Sequence, residues 1–130
     1  MTGVSAKGSS GRSRPLRALL VEDEPLVALM VEDMLEELGI EVARSVTNLA
    51  DALAAAETDI DFALLDINLK GERSFPAAEV LRRRGKPFFF VTGYGAPGTY
   101  GTDFEVIVLQ KPFTIADLRG ALARVVPGFG

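Results

Sequence analysis

Five short strand-like runs, most of them apolar, alternate with segments of helical periodicity along most of this chain, and the alternation limits the folds it can adopt. The runs span 17–21, 41–46, 62–67, 87–91 and 106–109. Between them apolar residues recur every three or four positions, as at Val31, Leu35 and Leu38. Strands that alternate with helices pair in parallel through right-handed crossovers and place helices on both sheet faces. The sequence therefore predicts a doubly wound α/β domain with a five-stranded parallel sheet.

Local signals set the helix boundaries. Pro25, preceded by three acidic residues, begins the first helix, and Gly39 ends it. Thr114 and Asp117 have the spacing of a capping box at the start of the last helix. A loop containing Gly71 is predicted after the third strand. Residues 93–103 hold four glycines and a proline in eleven positions, so the fourth helix is predicted to be short or absent.

The composition restricts the available chemistry. A length of 130 residues suits one domain. Cysteine and histidine are both absent, which excludes a thiol nucleophile, a Ser-His-Asp triad and zinc sites built from these residues. The apolar runs are far shorter than the roughly 20 residues needed to cross a bilayer. We therefore expect a cytoplasmic protein without a membrane span, whose chemistry uses carboxylates, hydroxyls and lysine.

Basic residues are concentrated near the start of the chain. Residues 1–15 are rich in Gly and Ser and hold three basic residues without an acid, which leaves 11 basic and 18 acidic residues elsewhere. An acidic domain repels nucleic acid, so we expect no direct DNA binding. The predicted organisation is a flexible basic leader at 1–15, one domain at 16–127 and a tail at 128–130, without room for an output domain.

Polar side chains stand at the ends of four predicted strands. Glu22 and Asp23 follow the first strand, and Asp66 ends the third. Thr92 follows the fourth strand and Lys111 follows the fifth. Ligands of doubly wound sheets bind outside the carboxyl ends of the strands, so these side chains should converge.

Most of these residues also have a plain structural explanation. Asp23 or Glu24 would cap the first helix, Thr92 would be a β-branched strand end, and Lys111 would be a solvated turn residue. Asp66 is the exception, because a carboxylate that ends an apolar strand is costly unless something compensates it. Several carboxylates in one crevice share a proton or bind a divalent cation, and oxygen ligands suit Mg²⁺. Phosphoryl transfer to an aspartate is then the economical hypothesis, with lysine and hydroxyl groups on the phosphoryl oxygens.

Four segments, LLVEDEP, LLDINLKGE, FVTGYG and QKPF, resemble the receiver domain of bacterial two-component response regulators in order and separation. The resemblance extends from Leu16 to Val126 and implies a flavodoxin-like fold. Residues Phe90 to Gly95 are further similar to the FAT GUY subgroup, whose members are often single domains in stress signalling.

The resemblance implies a role for each residue of the predicted site. Asp66 would be the phosphoacceptor. Mg²⁺ would be bound by Asp23, by Asp66 and by the backbone carbonyl of Asn68, while Glu22 would act through a metal-bound water. The phosphoryl oxygens would be bound by the side chains at the two remaining strand ends, Thr92 and Lys111.

The resemblance also implies a signalling role rather than turnover of external substrates. The phosphoryl donor would be a sensor histidine kinase or a histidine phosphotransferase. The chain itself would catalyse only Mg²⁺-dependent self-phosphorylation and autodephosphorylation. Its output would be contact with an unknown downstream protein, or it would act as a phosphate intermediate or sink. Family members also commonly form homodimers through the face of the fourth and fifth strands.

One departure from the family pattern concerns the output. Val108 stands three residues before the lysine, where an aromatic ring usually swings inward on activation, and valine cannot replace that ring. Residues 93–103, the adjacent face of the fifth strand and the Pro112-Phe113 turn would then form the phosphorylation-dependent docking surface, coupled to the site through Thr92. By family behaviour, Asn68 and Tyr94 would tune the hydrolysis of the acyl phosphate.

Three alternative interpretations of the sequence have less support. Residues 93–98 match G-x-G-x-x-G, but Pro97 and the segment after it provide no helix to face a pyrophosphate. A haloacid-dehalogenase-like phosphatase would need a second acid two residues after Asp66, where this chain has Asn68. A pseudo-receiver that binds a partner without phosphorylation is the remaining alternative, although the intact set of site residues argues against it.

Overall fold

The computed structural model describes residues 14–93 and 107–129. Its strands are β1 Arg17–Val21, β2 Glu41–Val46, β3 Phe62–Asp66, β4 Asn68–Leu69, β5 Glu72–Arg73, β6 Phe88–Thr92 and β7 Val108–Gln110. Its helices are α1 Pro25–Glu37, α2 Leu49–Ala55, α3 Phe75–Arg83 and α4 Ile115–Val125. Five strands form a parallel sheet in the order β2-β1-β3-β6-β7, and β4 and β5 form a separate hairpin. The predicted five-stranded parallel α/β fold is confirmed.

Successive residues of the central strands pack into two different apolar layers. Leu20 and Leu64 pack with α1 and α4 in one layer. Leu19 and Leu65 pack with α2 and α3 in the other layer. Both faces of β3 are therefore covered, and this strand is buried along its whole length. A strand buried on both faces carries apolar side chains almost throughout, which makes the carboxylate at its end conspicuous.

The three helix boundaries that the sequence predicts from local signals are present. Helix α1 begins at Pro25, and Gly39, with a φ of 82°, follows its end. At the start of α4 the Thr114 hydroxyl accepts the Asp117 N–H at 3.1 Å, and the Asp117 carboxylate accepts the Thr114 N–H at 3.0 Å. This reciprocal pair is the predicted capping box.

The segment after β3 differs from the prediction. The sequence favours a loop around Gly71, whereas residues 68–73 form the β4–β5 hairpin. Residues 94–106, which include most of the region predicted to lack a long fourth helix, lie outside the described residues, as does most of the predicted leader. Among the described helices, none has the length and apolar character needed to cross a membrane.

Candidate functional site

The strand ends that carry polar side chains meet at one edge of the sheet. Strands β1, β3 and β6 lie side by side and run in parallel, so Glu22, Asp66 and Thr92 are found at the same edge. The peptide N–H of Lys111 donates to the carbonyl of Thr92 at 2.7 Å, which brings the end of β7 to this edge as well. The residues singled out from the sequence therefore form one cluster.

Lys111 contacts two buried carboxylates. Its Nζ lies 3.2 Å from Oε1 of Glu22 and 3.3 Å from Oδ2 of Asp66. The side chains of these acids are 3% and 7% exposed, and that of Lys111 is 15% exposed. Glu24 adds a longer contact of 3.6 Å from the solvent side. Lys111 is therefore a cation held between buried anions rather than a solvated turn residue.

Asp23 adds a third carboxylate to the cluster. Carboxylate oxygens of Glu22, Asp23 and Asp66 lie within 4.8 Å of one another. Since Lys111 carries a single positive charge, these acids hold more negative charge than it can balance. Oxygen donors in such an arrangement suit a hard divalent cation, which would remove the repulsion between them. The donor set fits Mg²⁺.

The turn after β1 fixes the position of Glu22. Its N–H donates to the carbonyl of Val46 at 3.0 Å, and its Oε2 accepts the N–H of Glu24 at 3.1 Å. Glu24 is the N-cap residue of α1, yet its side chain makes no capping hydrogen bond. The explanation that Glu24 serves to cap α1 is therefore wrong, and the nearby backbone N–H is satisfied by the buried Glu22 instead.

Burial alters the proton affinity of the clustered groups. Burial and the negative charge of Asp66 raise the pKa of Glu22 to about 7, although Lys111 opposes this shift. Burial likewise raises the pKa of Asp66 against the opposing charge of Lys111. Burial alone would lower the pKa of Lys111, but the carboxylates of Asp66 and Glu22 outweigh it, so that pKa rises. Lys111 therefore stays protonated, whereas the charged forms of Glu22 and Asp66 are destabilised.

Asn68 lies beside Asp66 at the start of the hairpin. Its backbone N–H approaches Oδ1 of Asp66 at 3.4 Å, and its own side-chain Oδ1 accepts the N–H of Gly71 at 3.0 Å. Sequence reasoning missed the hairpin because Lys70-Gly71 is not among the dipeptides that usually mark a two-residue turn. The glycine was the signal that could have indicated it.

Three further residues from the sequence analysis lie on or beside β6 and β7. Thr92 is 3% exposed at the end of β6. Gly93 lies beside the side chain of Lys111, since a Cβ atom added to it would lie in van der Waals contact with Cε of Lys111, at 3.6 Å. Val108, in place of the aromatic residue, is partly buried and pairs with Phe90 across the β6–β7 ladder. Tyr94 lies outside the described residues.

The sequence model of the response regulator receiver domain matches residues 18–123 of this chain. The chain belongs to the response regulator receiver family. This receiver is similar to the solved structure of SdrG from Sphingomonas melonis Fr1, with 46% identity and a TM-score of 0.76 over 86% of this chain and 97% of SdrG. It is also similar to the receiver domain of the sensor histidine kinase PA1611 from Pseudomonas aeruginosa PAO1, with 28% identity and a TM-score of 0.71 over 85% of this chain and 96% of that domain. That structure has a magnesium ion coordinated in its active site cleft.

A further relative is longer than this receiver. The transcriptional regulatory protein PdtaR of Mycobacterium tuberculosis is 28% identical over 134 residues. The match covers 99% of this chain but 64% of PdtaR, so the receiver spans less than two thirds of that relative. Membership of the two-component receiver family is confirmed, and assignment to the FAT GUY subgroup stays a prediction.

Proposed function

We propose that this receiver accepts a phosphoryl group on Asp66 from a phosphohistidine of a sensor kinase or histidine phosphotransferase. The observation that carries the proposal is the position of Asp66. Its carboxylate ends a fully buried strand, lies 3.3 Å from the Lys111 ammonium, and belongs to a cluster of three carboxylates. A buried carboxylate with a raised pKa and a fixed cation beside it is typical of a reactive group rather than of a group that stabilises the fold.

In the proposed reaction the Asp66 carboxylate is the nucleophile. One of its oxygens forms a bond to phosphorus while the bond from phosphorus to the donor imidazole nitrogen breaks, and the electron pair stays on that nitrogen. Lys111 then contacts a phosphoryl oxygen, and the Thr92 hydroxyl donates a hydrogen bond to another. Asp23, Asp66 and the Asn68 carbonyl would hold Mg²⁺, whose positive charge would allow an anionic donor to enter the acidic site.

The test is incubation of the chain with acetyl phosphate and Mg²⁺, followed by intact mass spectrometry. We expect the mass to increase by one phosphoryl group, and we expect Asp66→Asn to abolish the increase because an amide oxygen is a poor nucleophile. Asp61→Asn, at the other end of β3, is the matched control and should keep the increase. An undiminished mass increase in Asp66→Asn, or in excess chelator, would contradict the proposal.

The proposed setting is a cytoplasmic phosphorelay in which residues 16–127 act as the receiver. Output would then be phosphorylation-dependent contact with another protein, or passage of the phosphoryl group along the relay. The likeness to SdrG over 86% of this chain supports a receiver role for residues 16–127. The alternative, a pseudo-receiver that binds its partner unphosphorylated, predicts no mass increase in the same experiment.

A further inference from the structure

The hairpin that follows Asp66 has a strained two-residue turn. Lys70 and Gly71 have φ angles of 53° and 93°, and positive φ at both central positions is the property of a type I′ turn. Glycine adopts this conformation freely, whereas lysine, with its Cβ atom, adopts it at a cost. Lys70 is exposed and therefore gains no burial in return. A strained residue next to a reactive centre raises the question of what the turn positions.

The register of the hairpin determines where the backbone of Asn68 points. Asn68 pairs with Arg73, and the N–H of Ser74 donates to the carbonyl of Ile67 at 2.9 Å. Hydrogen-bonded and non-hydrogen-bonded pairs alternate along an antiparallel ladder, so the Asn68–Arg73 pair is of the non-hydrogen-bonded kind. The backbone groups of Asn68 consequently face away from β5. Its N–H indeed approaches Oδ1 of Asp66 at 3.4 Å, and the carbonyl of an extended residue points to the same side as its N–H.

Two further contacts hold this register. Leu69 is 2% exposed and packs in the apolar layer beneath α2 and α3. The side-chain Oδ1 of Asn68 accepts the N–H of Gly71 at 3.0 Å. This hydrogen bond links the Lys70–Gly71 turn directly to Asn68. The hairpin is therefore anchored in the core at its base, and the conformation of its tip is transmitted to Asn68.

We propose that the Lys70–Gly71 turn is a positioning element that aims the Asn68 carbonyl at the acidic cluster and thereby sets the affinity for the divalent cation. The inference rests on the proposed function, in which that carbonyl is a metal ligand. Molecules whose turn leaves the positive-φ conformation would lack the aimed carbonyl, and the apparent dissociation constant rises as the competent fraction falls.

The test is isothermal titration of the intact chain with Mg²⁺ in two pairs of matched variants. Lys70→Asn and Lys70→Gln remove the same charge, but asparagine tolerates the left-handed conformation and glutamine does not. Gly71→Ala and Gly39→Ala add a Cβ atom that would meet nothing within 4 Å, at φ angles of 93° and 82°, yet Gly39 lies at the far end of α1. Both glycine variants therefore carry a similar backbone penalty, and Gly71→Ala alone carries it in the hairpin.

We expect Lys70→Asn to bind Mg²⁺ at least about twofold more tightly than Lys70→Gln, and Gly71→Ala to bind about three- to tenfold more weakly than Gly39→Ala. Equal dissociation constants within both pairs would overturn the inference and leave the proposed function intact. Failure of the unsubstituted chain to bind Mg²⁺ would instead contradict the proposed function itself. If Gly71→Ala does not fold, the lysine pair decides the matter.

Discussion

The two ends of the central strands both carry acids paired with basic residues, but in opposite surroundings. At the amino end, the Asp61 carboxylate accepts the backbone N–H of Arg17 at 2.8 Å and contacts Arg14 at 3.2 Å, while the Arg17 guanidinium contacts Asp59 at 3.1 Å. Here the side chains of Arg14 and Asp59 are 47% and 78% exposed. At the carboxyl end, Lys111 is shared by carboxylates that are almost fully buried.

Burial, rather than the presence of ion pairs, distinguishes the end of the sheet at which we propose phosphoryl transfer. Exposed pairs retain most of their hydration and contribute little to stability. Buried acids in excess of their cation have lost that hydration without full compensation, so they oppose folding until a ligand arrives.

The largest expected effect is a pH dependence that comes from Glu22. Its pKa rises from the ordinary 4.5 to about 7 on folding, so between these values the folded chain binds more protons than the unfolded chain. Stability from this group is therefore complete below pH 4.5 and is lost as the pH rises through 7, by on the order of 3 kcal/mol. Urea unfolding from pH 4.5 to 8 in chelator measures this loss.

Glu22→Gln is the control for that measurement because glutamine does not titrate. As the pH rises, the free energy of unfolding of the original chain should fall relative to that of Glu22→Gln. A difference that stays constant from pH 4.5 to 8 would show that Glu22 titrates normally and that the carboxyl end is not strained.

A pair of substitutions at the two ends of β3 should change stability in opposite directions. Asp66→Ala should raise the free energy of unfolding at pH 7.5 by about 1–2 kcal/mol. The substitution removes a desolvated negative charge, and Lys111 keeps its ion pair with Glu22. Asp61→Ala should lower it by about 1–2 kcal/mol, because the part-buried Arg17 N–H loses its acceptor. Urea unfolding in chelator gives both values. Changes of the same sign would remove the proposed contrast between the two ends.

Much of this arrangement is predictable from the sequence, for a physical reason. Parallel strands point their carboxyl ends to one edge, so the order of strands alone brought Glu22, Asp66 and Lys111 together. The depth at which each side chain lies depends on packing, and the sequence therefore could not show that Glu24 would remain exposed while Glu22 became buried. The hairpin was missed because Lys70 adopts a conformation that its residue type disfavours, and only the tertiary structure enforces it.

The smallest expected effect concerns Ser74, between the hairpin and α3. Its side chain is fully buried, and within the described residues its Oγ has no hydrogen-bond partner. Ser74→Ala should therefore raise the free energy of unfolding by about 1 kcal/mol, because an unpaired buried hydroxyl is removed. Thermal or urea unfolding checks this. A loss of stability of similar size would show that the Ser74 hydroxyl has a hydrogen-bond partner. The acidic cluster would then hold the polar groups at this end of the sheet that lack full compensation.

The central claim is that Lys111 alone does not balance the carboxylates of Glu22, Asp23 and Asp66, so that the cluster binds a divalent cation. Mg²⁺-dependent unfolding tests this claim most directly. A ligand that binds only the folded chain stabilises it by about 1.4 kcal/mol at ten times its dissociation constant. We predict that Mg²⁺ raises the free energy of unfolding at pH 7.5, that Asp23→Asn shifts the response to higher Mg²⁺ concentrations, and that Asp59→Asn at the amino end leaves it unchanged. The absence of any Mg²⁺ response in the original chain, or an identical response in Asp23→Asn, would contradict the account.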